Sequence, residues 1–392
     1  MRRACWPAAG LALVFLAGCR HHDFPEYPAG YREYAYVSNG GSNSVSVFDV
    51  VNIRLDRQLQ VGANPTGVTA NPRLNEVYVV NSGEGQGNGS GSVGSISVID
   101  TTKNAVVATI PVHRRPYFID VDPSGDMAYV ANSGSNSVSI VDLKARREVG
   151  TVTTGDQPGL ARVSQDGKSL VVTNRGGNSV SILGGGESGW QTRATLTGCP
   201  GATDAVILKD SSKAFVACSG GHQVMVIQLA RGADANSPAR PDAVEALMDV
   251  GRAPVHLALK PDGGEIFVSN FDSDTISEIE TGTDDVSGAY IMGSHPVRGL
   301  VSADNTLLYV SNFQSQELSV YSIDDGKRIG LPVHTGDGPD GLAFSASGTL
   351  LFAVDARSGD VAVIRTSDRS LFTLLPSGRS PNAIAVKAFS MH

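Results

Sequence analysis

Apolar positions in this chain alternate with small polar ones in short runs, without the three-to-four spacing of an amphipathic helix. Ser44-Val45-Ser46-Val47-Phe48 and Ser137-Val138-Ser139-Ile140-Val141 have period two, the pattern of strands. Each such run follows a more uniformly apolar strand that ends in Asn and a small polar turn. The phrase ends at Asn39, Asn81, Asn132, Asn174, Asn270 and Asn312, with Cys218 and the degenerate Asp355 at two further places, eight copies in all. Successive ends lie 42, 51, 42, 44, 52, 42 and 43 residues apart. With strands as the only elements, a period of about 45 is that of one four-stranded propeller blade.

A second phrase, a Gly- and Pro-containing turn leading into an apolar strand, recurs around Pro65, Pro116, Pro158, Pro200, Pro254, Pro296, Pro339 and Pro381. The two phrases are offset by one at the ends. Residues 34–61 supply three strands of a blade without its first, and residues 381–386 supply a lone first strand. The expected fold is therefore all-β: a single β-propeller of eight four-stranded blades, its ring closed by the C-terminal strand pairing with the N-terminal blade. Seven blades is the alternative, if the last unit or the Cys218 unit is not a true blade. Closure removes the exposed sheet edges that invite association. The 45 Gly and 19 Pro in 392 residues fit a turn-rich chain, and 18% charged residues exclude a coiled coil.

On phrases such as Tyr36-Val37-Ser38-Asn39 and Tyr309-Val310-Ser311-Asn312, residues 34–388 resemble the YVTN-repeat β-propellers, a bacterial and archaeal family of exported and surface proteins. The resemblance implies the fold and leaves activity open, because the repeated residues are scaffold. Each terminal Asn reads as a hydrogen-bonding residue of its own polar turn. Trp190 is the one Trp beyond the leader, so propellers docked by tryptophan fit poorly.

Residues 1–18 read as an export signal: Arg2 and Arg3, then an apolar run over residues 8–16 too short to span a bilayer. Leu16-Ala17-Gly18-Cys19 resembles the lipobox of bacterial lipoproteins, which implies lipidation at Cys19. Residues 19–33 then form a lipidated tether and residues 34–392 the propeller domain. The protein is expected to be exported and lipid-anchored to the bacterial cell envelope, on its periplasmic or cell-surface side, as a monomer. Losing Arg2 and Arg3 takes the net charge from −8 to −10, which argues against nucleic acid and against electrostatic membrane binding. Membrane contact is expected through the lipid alone.

Cys199 precedes a first strand and Cys218 replaces the terminal Asn of the neighbouring second strand, so both fall on one rim of one blade. A disulfide is expected in an oxidising compartment; a two-thiolate metal site or two free thiols are the alternatives. No haem-attachment, nucleophile-elbow, phosphate-loop or dinucleotide motif is present, and no cofactor or resident metal is expected. Two insertions stand out. Residues 83–95 read as a mobile flap or a plain insertion, and residues 230–243 as an outer loop.

In a propeller, the turns between blades and those between second and third strands share the face where ligands usually sit. Collecting cations on those turns gives Arg114, Arg115, Arg175, Arg252, His295, Arg298 and Arg379 as a candidate binding set for a carboxylate or phosphate. Asp156, Asp204, Asp272, Asp274, Asp337 and Asp340 lie on the same turns, so the competing reading is a solvated mixed-charge rim. His256 alternates into a first strand and reads as buried. The function expected is a binding module for an envelope protein, glycan or small anion. The alternative is a propeller enzyme or oxidoreductase-associated subunit, lactonase-like or haem d1-like; the latter requires an axial His, with His113, His222 and His295 as candidates.

Overall fold

The computed structural model describes residues 27–83, 93–186, 189–232 and 239–391. The signal, Cys19 and most of residues 83–95 lie outside them. Eight antiparallel sheets follow one another around a ring, one per repeat. Among the described residues the only helical elements are two 3-10 turns, Gly40–Ser42 and Phe271–Ser273.

The inner strands of blades 1 to 4 are Pro381–Ser390, Pro65–Ala70, Pro116–Val121 and Pro158–Val163. Those of blades 5 to 8 are Ala202–Ile207, Pro254–Leu259, Pro296–Val301 and Pro339–Phe344. Ring closure follows the sequence reading: Tyr31–Asn39 pairs with the last strand in continuous register from Tyr31 opposite Ser390 to Ser38 opposite Ala383, and Asn39 meets Pro381 across a bulge. The Cys218 and Asp355 units are both complete blades, which removes the seven-bladed alternative. Blade 7 departs from the common plan, its outer edge broken into Lys327–Arg328 and Val333–His334. The closing interface is as apolar as the others. Val37 and Phe48 of blade 1 pack with Phe352 and Val363 of blade 8, each such side chain worth ~1.5–3 kcal/mol in burial.

The Asn that ends each second strand reaches across the sheet, beyond its own turn. Asn39 Nδ2 donates to Ser44 Oγ at 3.2 Å and Ser46 Oγ at 3.0 Å. Asn174 makes the same pair with Ser179 and Ser181, and Asn270 with Thr275 and Ser277. The alternating Ser of the third strand is thus a hydrogen-bonding element as well as a spacer. A turn glycine presses on the Asn from the other side: a Cβ on Gly62 would sit 2.7 Å from Asn81 Cγ, and one on Gly378 2.6 Å from Asn39 Cγ.

Blade 5 replaces both partners of this contact. Cys199 stands three residues before Ala202, where six of the other seven blades carry the glycine and blade 3 carries His113, and Cys218 stands in place of Asn. The two are bonded, with Cα atoms 4.8 Å apart, so the expected disulfide forms where backbones already meet closely enough to exclude a side chain. Gln223 and Met225 occupy the hydroxyl positions there, and an Asn would lack its acceptors. Blade 8 differs again. Asp355 is fully buried and faces Asp360 in register. Burial first, and then the neighbouring Asp360, hold the Asp355 carboxyl far above the usual carboxylate range.

Replacing Cys199 and Cys218 together by Ser should lower unfolding free energy by about 3 kcal/mol, read from denaturant titration. An acid with a raised folded-state pKa holds its proton more tightly folded than unfolded. Stability therefore falls as pH rises from the unfolded value near 4 toward the folded one. Asp355→Asn removes that loss and supplies a donor to Asp360, so Tm should rise by about 2–4 °C at pH 8 and by less at pH 5.

Candidate functional site

Each inner strand begins opposite the end of its blade's second strand, as Pro65 does opposite Asn81 and Pro296 opposite Asn312. Turns entering inner strands and turns leaving second strands therefore crowd one face, the mouth of the channel. The residue entering each inner strand is left-handed: Arg115 (φ 49°), Ala253 (φ 50°), His295 (φ 56°) and Ser380 (φ 50°) among them.

Six of the seven cations proposed from sequence lie on these turns. Arg114 and Arg115 accept backbone hydrogen bonds from Gly134 and Ser133. Arg252 Nη2 donates to the Asp272 carbonyl at 2.8 Å, and His295 packs edge-on to Phe271 at 4.4 Å. Arg379 enters the closing strand and accepts at its carbonyl from Gly41 N. Arg175 lies over the ring of Tyr117, 5.0 Å from its centroid. Only Arg298, on the inner strand of blade 7, lines the central cavity.

That cavity, about 400 Å³, lies between the inner strands of blades 1 to 4, 7 and 8. Its charged lining is Asp120, Arg162, Arg298 and Asp340. With Asp204 and His256 they form an arc through blades 3 to 8 in which acidic and basic side chains largely alternate. Arg162 Nη1 is 3.7 Å from Asp120 Oδ1, and its Nη2 is 3.8 Å from Asp204 Oδ1. His256 Nε2 lies 3.7 Å from Asp204 Oδ2, and Arg298 Nε lies 3.5 Å from Asp340 Oδ1.

Inside the arc, two tasks separate. Asp120 Oδ2 accepts the Val163 N–H at 3.0 Å and Asp204 Oδ2 the Leu257 N–H at 3.0 Å, each from the next blade. His256 Nδ1 accepts the Gly299 N–H at 3.3 Å, which assigns its proton to Nε2. These three groups stitch blades together. Burial pushes the His256 pKa down to about 4, with Arg298 and Arg162 adding to the drop and Asp204 opposing it, so the ring is neutral at pH 7. Burial likewise outweighs Arg162 at Asp120 and holds that carboxyl above its ordinary range. The guanidiniums remain accessible: Arg162 is 31% and Arg298 43% exposed. Arg162 also lies over Phe118, 4.9 Å from its centroid.

Asp120 and Arg162 escaped the turn-based sequence reading because they sit four residues beyond the proline, within the strand. His256 is as buried as expected, yet it belongs to the arc. The available signal was register: counting from Pro116 and Pro158 puts Asp120 and Arg162 at the same depth in adjacent blades. Of the three histidines suggested for haem, none lines the cavity. His113 is turned to Thr151 and Glu148, His222 accepts from Ala253 N, and His295 pairs with Ser294. None of them therefore stands where a group bound in that cavity would meet it.

No curated protein sequence matches significantly. The family model described as "Lactonase, 7-bladed beta-propeller" matches residues 9–147, about a third of this eight-bladed chain. Among solved structures, dihydro-heme d1 dehydrogenase NirN in complex with DHE is similar with TM-score 0.72 and 14% identity, over 94% of this chain and 76% of that chain. Apo AztD from Citrobacter koseri gives 0.64 and 13%, over 91% and 98%. The Pseudomonas aeruginosa periplasmic gluconolactonase PpgL gives 0.57 and 17%, over 91% and 98%. At such identities the likeness establishes one thing, that this chain shares the β-propeller fold.

Proposed function

We propose that the protein is an exported, lipid-anchored propeller that binds a small hydroxylated acid in its central channel and hydrolyses the corresponding lactone. The observation that carries this reading is the meeting of Arg162 and Arg298 on one cavity with Asp120, a carboxyl held above its usual range. A carboxyl held above its usual range is a stronger base than an ordinary one and suits the removal of a proton from water. Guanidiniums suit both an anionic substrate group and the oxyanion that develops at the attacked carbonyl. His256 does not suit the base, because its unprotonated Nδ1 is engaged by Gly299 N. The lactonase family match over residues 9–147 and the gluconolactonase fold likeness support the same chemistry. The lipobox at Cys19 supports the envelope location.

Full-length protein in detergent should hydrolyse glucono-δ-lactone above the spontaneous rate in a pH-stat. Asp120→Asn keeps an acceptor for Val163 N and should lower that rate about 100-fold or more, with gluconate binding by calorimetry retained. Replacing Arg162 and Arg298 together by Met should abolish gluconate binding while the protein stays folded. Gluconate binding without hydrolysis in the wild type would leave a binding module and remove the enzyme; binding that survives the double replacement would put the site elsewhere. Cys19→Ala should move the protein from the membrane fraction to the soluble one.

A further inference from the structure

The cations at the mouth and in the cavity differ in how they are compensated. Arg162 has Asp120 and Asp204, Arg298 has Asp340, and Arg357 has Asp337 within 4.0 Å. Arg175, like Arg114, Arg115, Arg252 and Arg379, has no carboxylate at ion-pair distance among the described residues, and of these it alone is recorded over an aromatic ring that lines the cavity. It is held by an aromatic face: its guanidinium carbon lies over the ring of Tyr117 of the neighbouring blade, 5.0 Å from the centroid. The trough that admits it is made by Gly159, where a Cβ would overlap the Arg175 side chain. Tyr117 lines the cavity and is itself 45% exposed. A guanidinium held over an aromatic ring can still offer N–H donors to a ligand, while the aromatic face restricts where it goes.

We infer that Arg175, fixed on Tyr117, is a second anion-binding point at the lip of the channel, so that the preferred ligand carries an anionic group at each end. This rests on the channel reading above and extends it to a ligand class, a dicarboxylic sugar acid or its monolactone. One carboxylate meets Arg162 and Arg298 in the cavity. The other meets Arg175, on the side nearer the mouth by one to three strand residues, ~3–10 Å. The spacing suits a hexose-derived chain. Tyr117 positions Arg175 and offers its ring edge to the sugar chain between the two ends.

Calorimetry on the full-length protein with gluconate, which has one carboxylate, and glucarate, which has two, tests the inference. The wild type should bind glucarate about tenfold more tightly, the gain expected of one charge-assisted pair. Arg175→Gln should erase that preference and leave gluconate affinity unchanged, and Tyr117→Ala, which frees Arg175, should weaken glucarate more than gluconate. Gluconate binding without a glucarate preference overturns the second point and leaves the channel reading intact. A preference that survives Arg175→Gln, or an equal loss of both ligands in that variant, also overturns it. Failure of the wild type to bind either ligand removes the channel reading and this inference together.

Discussion

An inner strand of a propeller has a sheet neighbour on one side only, and everything in the channel follows from how the other edge is satisfied. In this protein the adjacent blade supplies the partners. Asn382 Nδ2 donates to the Pro65 carbonyl at 2.8 Å, Thr66 Oγ1 to the Tyr117 carbonyl at 3.1 Å and Thr203 Oγ1 to the Pro254 carbonyl at 3.1 Å. Ser311 Oγ reaches the Asp340 carbonyl at 3.0 Å. Backbone N–H groups are met in turn by Asp120, Asp204 and His256. An unmet backbone group at such a site costs about 1–3 kcal/mol, so one acceptor atom of each of these side chains, Oδ2 in Asp120 and Asp204 and Nδ1 in His256, is committed to the ring before any ligand arrives. The guanidiniums of Arg162 and Arg298 are the channel cations in the arc that keep accessible donors.

Net charge therefore misleads about the channel. The chain is acidic overall, yet the acids nearest the cavity are spent on backbone amides and on their neighbouring arginines. A carboxylate that already accepts an amide and faces a guanidinium repels an incoming anion less than a free one would. Low dielectric also strengthens what the arginines offer. The pairing distances of 3.5 to 3.8 Å leave room for a ligand oxygen to compete.

The ring was legible in the sequence because its constraint repeats. Asn39, Asn81 and Asn270 recur at blade spacing since each reaches two hydroxyls that stand two residues apart on the third strand, and the bonded pair Cys199 and Cys218 could be placed because it falls on that frame. The candidate site was less legible. Arg298, two residues beyond its proline, was found, but Asp120 and Arg162 were not, because they sit four residues beyond theirs, within strands whose register is shifted by a bulge common to the inner strands. Arg175 was found on its turn, but its placement over Tyr117 depends on Gly159 in the adjacent strand, and no local pattern announces that. The candidate site sits at positions that differ from blade to blade, so a reading that rewards repetition passes over them.

The direction of the closing strands has a spatial consequence. Tyr31–Asn39 ends at the mouth and so begins at the opposite face, where Tyr27 stacks on Tyr31 and the Gly30 carbonyl accepts from Met391 N. Glu33 fastens that entry point to blade 8 through Ala346 N at 2.6 Å. The polypeptide thus leaves the ring from its underside. Tyr27 and the channel opening therefore stand on opposite faces of the disc, so a segment joined at Tyr27 starts from the floor and not beside the opening.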